Sequence, residues 1–386
     1  MSTVPQNVIA ARQRVIGTDY FALGYLALAV VAYDAESDEP QAIVGAITNA
    51  VNDKMNGITH WDTNGYWQLE WGPAITMNRW SWRANLIFVA SYRDADSKLP
   101  IFTAVVIRGT DTTAGMRGLI TQVREDLSVH CQKKWGDPIG DTAEFTLFGC
   151  ATHDQSFSST PYVASGTLLG MRDLLGLTSN GQTVAQFLES FLPQYADAAS
   201  PLPVVVTGHS LGGDQCSVIA LSLNSLASFQ SGGAVILPNS FASPATGNQA
   251  FADLYASTFP NLRRWYNTFD LIPFIFGDLD GIAGLWVTAP YACNDPIPED
   301  AKILLSLFKH DVNDLQYVHE SIGARPFNGR CMPPANREPW FGQIGFQHLT
   351  PCGYWAPMSA AHASVLGPMD YPTWTGDDPA TCWKSR

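Results

Sequence analysis

Three β-branched residues run into a serine held between glycines in Val204-Val205-Val206-Thr207-Gly208-His209-Ser210-Leu211-Gly212-Gly213. An apolar stretch of helical length, Asp214 to Leu221, follows directly, so the local reading is strand, sharp turn, helix. The Gly-x-Ser-x-Gly spacing of Gly208, Ser210 and Gly212 has a mechanical reason. The serine must take a strained backbone conformation that lifts its hydroxyl clear of the sheet, and glycines on either side let strand and helix approach closely. A hydroxyl so presented is a nucleophile in waiting. It attacks nothing near neutral pH unless a base lies within hydrogen-bond reach and a carboxylate orients that base.

When the serine sits on such a turn, the partners follow in the order serine, acid, histidine, on loops at the carboxyl ends of strands. Asp270 fits the acid: it follows the apolar strand Arg263 to Thr268 and opens Asp270-Leu271-Ile272-Pro273, where proline ends regular structure. Four histidines come later, at 310, 319, 348 and 362. His310 and His319 stand on polar segments expected to be exposed, which leaves His348 and His362. His209, beside the nucleophile, reads as a packed or orienting residue and not as the base.

The elements that must position these groups alternate. Leu86 to Arg93 and Ile101 to Arg108 read as a hairpin. Helices are expected over 17–33, Val184 to Tyr195 and Gln249 to Phe259, and strands at 204–206, 234–237 and 263–268, the signature of a largely parallel sheet flanked on both faces. Met116, Leu119, Ile120 and Val123 fall at helical spacing on an amphipathic segment. From about Gly277 to Ile344 the character changes, with recurrent Gly and Pro, and this stretch is read as an insertion packed on the core of one domain spanning 1–386. Five tryptophans between 61 and 82 read as plugs for a small sheet.

Composition excludes several classes. The chain has 386 residues, 46% hydrophobic and 15% charged, enough for a large core and too apolar for disorder. Its net charge of −13 and lack of a basic patch speak against nucleic acid. Seven scattered cysteines lack the close pairs of a zinc site, so no metal is expected. Cys216 is the expected free thiol, and one or two disulfides are expected in the C-terminal third. The apolar run Phe21 to Tyr33 is too short to span a bilayer and reads as a core helix. No leader is visible in it, since Asp19 sits where positive charge belongs.

The pieces together resemble the class 3, fungal-type triacylglycerol lipases of the α/β-hydrolase superfamily. Val105-Val106-Ile107-Arg108-Gly109-Thr110 is similar to the family's oxyanion strand, Glu125-Asp126-Leu127 to its Asp-Leu pair, and Thr207 to Gly213 to its serine motif. Phe241 to Phe251 resembles its Phe-Gly-x-Pro-x-x-Gly-Asn block, and Asn267 to Pro273 its aspartate segment. The resemblance implies a serine ester hydrolase without cofactor, most simply a lipase, with Ser210, Asp270 and a histidine as triad. It implies backbone N–H groups of Thr110 and Leu211 as the oxyanion hole, and a lid at 111–125 that opens at a lipid-water interface. Gly345-Phe346-Gln347-His348 followed by Tyr354-Trp355 is similar to a family segment that precedes the catalytic histidine, which favours His362 as the base, with His348 second.

Val163 to Thr167 departs from the family's Val-His-x-Gly-Phe, and the stretch from Asp270 to His348 is longer than usual. A feruloyl or other non-lipid esterase on the same scaffold is the near alternative; a non-catalytic binding protein with a hydrolase fold is the distant one. Secretion is what the family suggests.

Overall fold

The computed structural model describes residues 4–33, 39–76, 85–109, 128–139, 150–151, 153–195, 197–287, 293, 295–312, 314–332 and 339–373. Strands β1 (Gly65–Thr76), β2 (Asn85–Asp94) and β3 (Pro100–Ile107) form an antiparallel meander, so the expected hairpin is present with a further strand before it. Two short pairs follow, β4 (Gln132–Lys134) with β5 (Tyr162–Ala164) and β6 (Thr178–Ser179) with β7 (Gln182–Thr183). Strands β8 (Leu202–His209), β9 (Ala234–Phe241), β10 (Arg263–Asn267) and β11 (Ala324–Phe327) complete a seven-stranded sheet in the order β1-β2-β3-β8-β9-β10-β11. From β3 onward every pairing is parallel. That is the α/β-hydrolase fold the sequence pattern anticipates.

Strand pleating divides the core into two layers. Phe102, Ala104 and Val106 of β3 and Val205 of β8 face one side, and Val105, Ile107, Val204 and Val206 face the other. The first side is filled by the helix Ala22–Val31, buried at all ten of its positions, together with Trp61 and Trp67. These two tryptophans and Trp71 plug the sheet as expected, whereas Trp80 and Trp82 lie outside the described residues. Against the second side pack Ser165–Gly176, Val184–Phe191, the elbow helix Leu211–Leu223 and Gln249–Thr258. One element was not expected: the helix Gln6–Gly17, whose Arg12 is buried with its guanidinium on the carbonyls of Pro100 and Ser200.

The stretch 277–344 is more than a cover. It carries the helices Leu279–Ile282 and Glu299–Val312, yet its residues 324–327 are β11, paired in parallel with β10. A third apolar cluster joins this stretch to the loops at the strand ends: Trp286, Leu305, Phe308 and Trp340 pack with Phe269, Leu271 and Ile272, and Leu211 lies against them. Cys293 and Cys331 are disulfide-bonded, as are Cys131 and Cys150, and Cys352 is also in a disulfide. Cys216 is the buried free thiol. No single helix among the described residues is long and apolar enough to cross a membrane.

Candidate active site

Parallel pairing aligns Ile107 with Gly208, His209 with Phe241 and Phe241 with Trp265, so the loops after β3, β8, β9 and β10 leave the sheet at one edge. The sharpest exit is at Ser210. Its φ of 60° and ψ of −126° lie outside the regions ordinary side chains prefer. Such a residue stores on the order of 1–3 kcal/mol, which the surroundings must supply. They do so through hydrogen bonds from the Ser210 N–H to the Phe241 carbonyl (3.0 Å) and from the Gly213 and Asp214 N–H groups to the Ser210 carbonyl (2.9 and 3.1 Å). The glycines are required by contact: a Cβ on Gly208 would come within 2.5 Å of the Gly212 carbonyl oxygen, and one on Gly212 equally near that of Ile107.

Two side chains meet this hydroxyl in sequence. Ser210 Oγ lies 2.9 Å from Nε2 of His348, and Nδ1 of His348 lies 2.8 Å from Oδ2 of Asp270. A carboxylate only accepts, so Nδ1 carries the ring proton toward Asp270 and Nε2 is free to accept from the serine. Asp270 is fully buried, His348 is 1% exposed and Ser210 is 3% exposed. Asp270 is held on three sides: Oδ1 accepts from the Ile272 N–H (3.0 Å), and Oδ2 accepts from the Tyr354 hydroxyl (2.7 Å) as well as from His348. Burial, and then the adjacent carboxylate, push the Tyr354 hydroxyl well above its ordinary range, so it stays a donor.

The expectation for the base is corrected. His362 caps the helix Ala356–Ala361, its ring stands edge-on to Trp265 at 5.1 Å, and its Nε2 is buried with no hydrogen-bond partner among the described residues. Trp265 belongs to the first core layer. His348 instead ends the helix Pro339–His348. That helix end is tied to the end of β10, where Asn267 Nδ2 donates to the Gln347 carbonyl and Oε1 at 3.1 and 2.9 Å, three residues before Asp270. His310 is on the exposed face of Glu299–Val312. His319, expected to be exposed, is half-buried and bonded to the Pro273 carbonyl at 2.7 Å; burial and then Arg264 push it down to about 3.

His209 packs beside His348. Its Nε2 donates to the His348 carbonyl (3.0 Å) and its ring packs on those of His348 and Tyr354, with centroids 4.7 and 5.2 Å away. Burial, followed by the nearby His348, drives its pKa well below the ordinary value, which keeps it neutral. Leu211 opens the elbow helix, where the first backbone N–H groups have no partner within the helix. Thr110 and the lid residues Met116, Leu119, Ile120 and Val123 lie outside the described residues. No group of three or more His, Cys, Asp or Glu side chains suited to a metal occurs among the described residues.

The comparisons with known proteins bear on the same middle stretch. Residues 104–279 match the family model described as lipase (class 3). This is a class 3 lipase segment. Among solved structures the chain is similar to the M37 lipase, at 18% identity over 93% of this chain and 96% of that one, with a TM-score of 0.66. It is also similar to lipase II from Rhizopus niveus (16% identity, 70% and 76% covered, TM-score 0.38) and to Lip2 lipase from Yarrowia lipolytica (19%, 66% and 73%, 0.37). The search of curated proteins finds no match. The M37 likeness shows the fold, and the segment marks a lipase-type hydrolase. Ser210 and Asp270 lie within the class 3 lipase segment; His348, Gln347 and Tyr354 come from beyond it.

Proposed function

We propose that the protein hydrolyses carboxylic esters of acylglycerols through an acyl-enzyme on Ser210. The reading is carried by one observation, the buried relay of 2.9 Å and 2.8 Å from Ser210 through His348 to Asp270. Ser210 Oγ attacks the ester carbonyl as its proton passes to His348 Nε2. Asp270 holds the imidazole in the working tautomer and stabilises the imidazolium. The proton then moves to the departing alcohol, and a water activated by the same nitrogen releases the acid. Negative charge on the tetrahedral oxygen is met by the N–H of Leu211 and, by family resemblance, that of Thr110; each such donor is worth about 10²–10³ in rate. An apolar acyl chain is favoured by the third cluster, which reaches Leu211 next to the nucleophile. By the same resemblance, residues 111–125 act as a lid at the lipid surface.

The test uses p-nitrophenyl esters of graded chain length alongside emulsified triacylglycerol, with a fluorophosphonate probe for Ser210. The expected result is labelling of Ser210 and greater activity on emulsified long-chain ester than on dissolved short-chain ester. A preference for soluble or aromatic esters would point to a non-lipid esterase. Absence of both labelling and turnover would remove the hydrolase reading.

A further inference from the structure

We infer that Tyr33, seventy-one residues upstream of the class 3 lipase segment, is a positioning residue that fixes the chain just past β3, at Gly109, against the nucleophile turn. The inference rests on the hydrolase reading above and on three groups that meet at the sheet edge. The Gly109 N–H donates to the Tyr33 hydroxyl at 3.0 Å, and that hydroxyl donates to the His209 carbonyl at 3.4 Å. Strand β3 pairs with β8 up to Ile107 and Gly208. Past that register pair the ladder ends, and Gly109 on one side and His209 on the other lie close together without pairing as strands. The phenol carries the connection one step further than the ladder can. It accepts from one strand and donates to the other, using both capacities of a hydroxyl.

The surroundings make the arrangement specific. A Cβ on Gly109 would overlap both the Tyr33 hydroxyl and the His209 carbonyl, so the close approach requires glycine there. Tyr33 is held from its own side: its N–H donates to the Val30 carbonyl (2.9 Å) at the end of the helix Ala22–Val31, which is buried throughout. The clamp therefore has a rigid foot in the first core layer. Gly109 and His209 are each one residue from a group expected to act on the substrate, Thr110 and Ser210. His209 also donates its ring N–H to the carbonyl of His348. One residue thus ties the oxyanion strand, the nucleophile turn and the base into a single fixed frame. Donors that stabilise a transition state act through placement, and a small displacement of one donor weakens the transition state far more than substrate binding.

Tyr33→Phe keeps the ring and removes the hydroxyl. With p-nitrophenyl butyrate, kcat is expected to fall about tenfold while KM stays within about twofold. Affinity for a trifluoromethyl ketone, which forms a tetrahedral oxyanion on the serine, is expected to fall in parallel. Hydrogen exchange at the Gly109 amide should quicken. Unchanged kcat and ketone affinity would overturn the inference whatever happens to thermal stability, and so would a change confined to KM. If the wild type hydrolyses no ester, the proposed function fails separately. The clamp is then judged by exchange at Gly109 alone, where equal rates in both proteins would sink it.

Discussion

The nucleophile arm and the base arm of the site are built in opposite ways. The nucleophile arm is short along the chain: β8, the turn at Ser210 and the helix Leu211–Leu223 follow without interruption, and the strain of the turn is balanced by backbone bonds to β9. The base arm is assembled from distant pieces. His348 arrives only after the stretch carrying the disulfide Cys293–Cys331 and strand β11, and it is placed by the Asn267–Gln347 bonds next to it, by His209 and by Asp270, which Tyr354 holds in turn. A turn of fixed geometry tolerates almost no sequence variation, whereas a side chain positioned by its neighbours can be delivered by many routes.

The sharpest way to break that contrast is to exchange the two candidate histidines. His348→Ala is expected to lower kcat/KM for a soluble ester by about 10⁴-fold or more, and His362→Ala to leave it within about twofold. The reverse outcome would reinstate His362. A smaller effect probes the support of the base arm. Tyr354→Phe removes a donor from a buried carboxylate, and kcat should drop about 10- to 100-fold, in line with a charged hydrogen bond of ~1.5–3 kcal/mol. A change of less than twofold in a folded Tyr354→Phe would mean that Asp270 is held adequately by Ile272 and His348 alone.

The nucleophile arm carries a burden that appears in stability instead of rate. Asp214, in the first turn of the elbow helix, is fully buried and accepts from the Thr167 hydroxyl at 2.8 Å. Burial raises its carboxyl from 3.8 to about 7, with the hydrogen bonds from Thr246 and Thr167 opposing. The unfolded chain releases this proton near pH 4 while the folded one holds it to near pH 7. Stability therefore declines across that window and levels off above it. The full penalty is roughly 4 kcal/mol, at 1.36 kcal/mol per unit. Asp214→Asn should flatten this decline, so thermal midpoints at pH 5 and pH 8 should differ less in the variant than in the wild type. An unchanged slope would show that Asp214 does not titrate in this range.

What could be read in the sequence follows the same division. Ser210, its glycines, Asp270 at the end of an apolar strand and the alternation that builds the parallel sheet are all local patterns, and each lies where local pattern puts it. The histidine could not be read that way. Two histidines had similar neighbourhoods, and matching Gly345 to His348 with a family segment that precedes the base pointed to the wrong one. A usable cue was present: His348 ends the first helix after β11, the last strand of the sheet, whereas His362 lies one helix further on. That cue depends on recognising Ala324–Phe327, four residues with a proline among them, as a strand. Only pairing with β10 makes it one. The roles of Tyr33 and of the His209 ring were beyond sequence reading because both rest on contacts across more than a hundred residues.

The helix Ala22–Val31 has a consequence for how the chain is made. All ten of its residues end up enclosed, partly by β8 and β9, which emerge from the ribosome some 170 residues later. At synthesis rates of about 5–20 residues per second, this apolar segment waits roughly 10–35 s before its covering strands exist. During that interval its apolar surface lacks those partners, and expression yield is expected to respond to holdase supply more strongly than to any change at the catalytic edge.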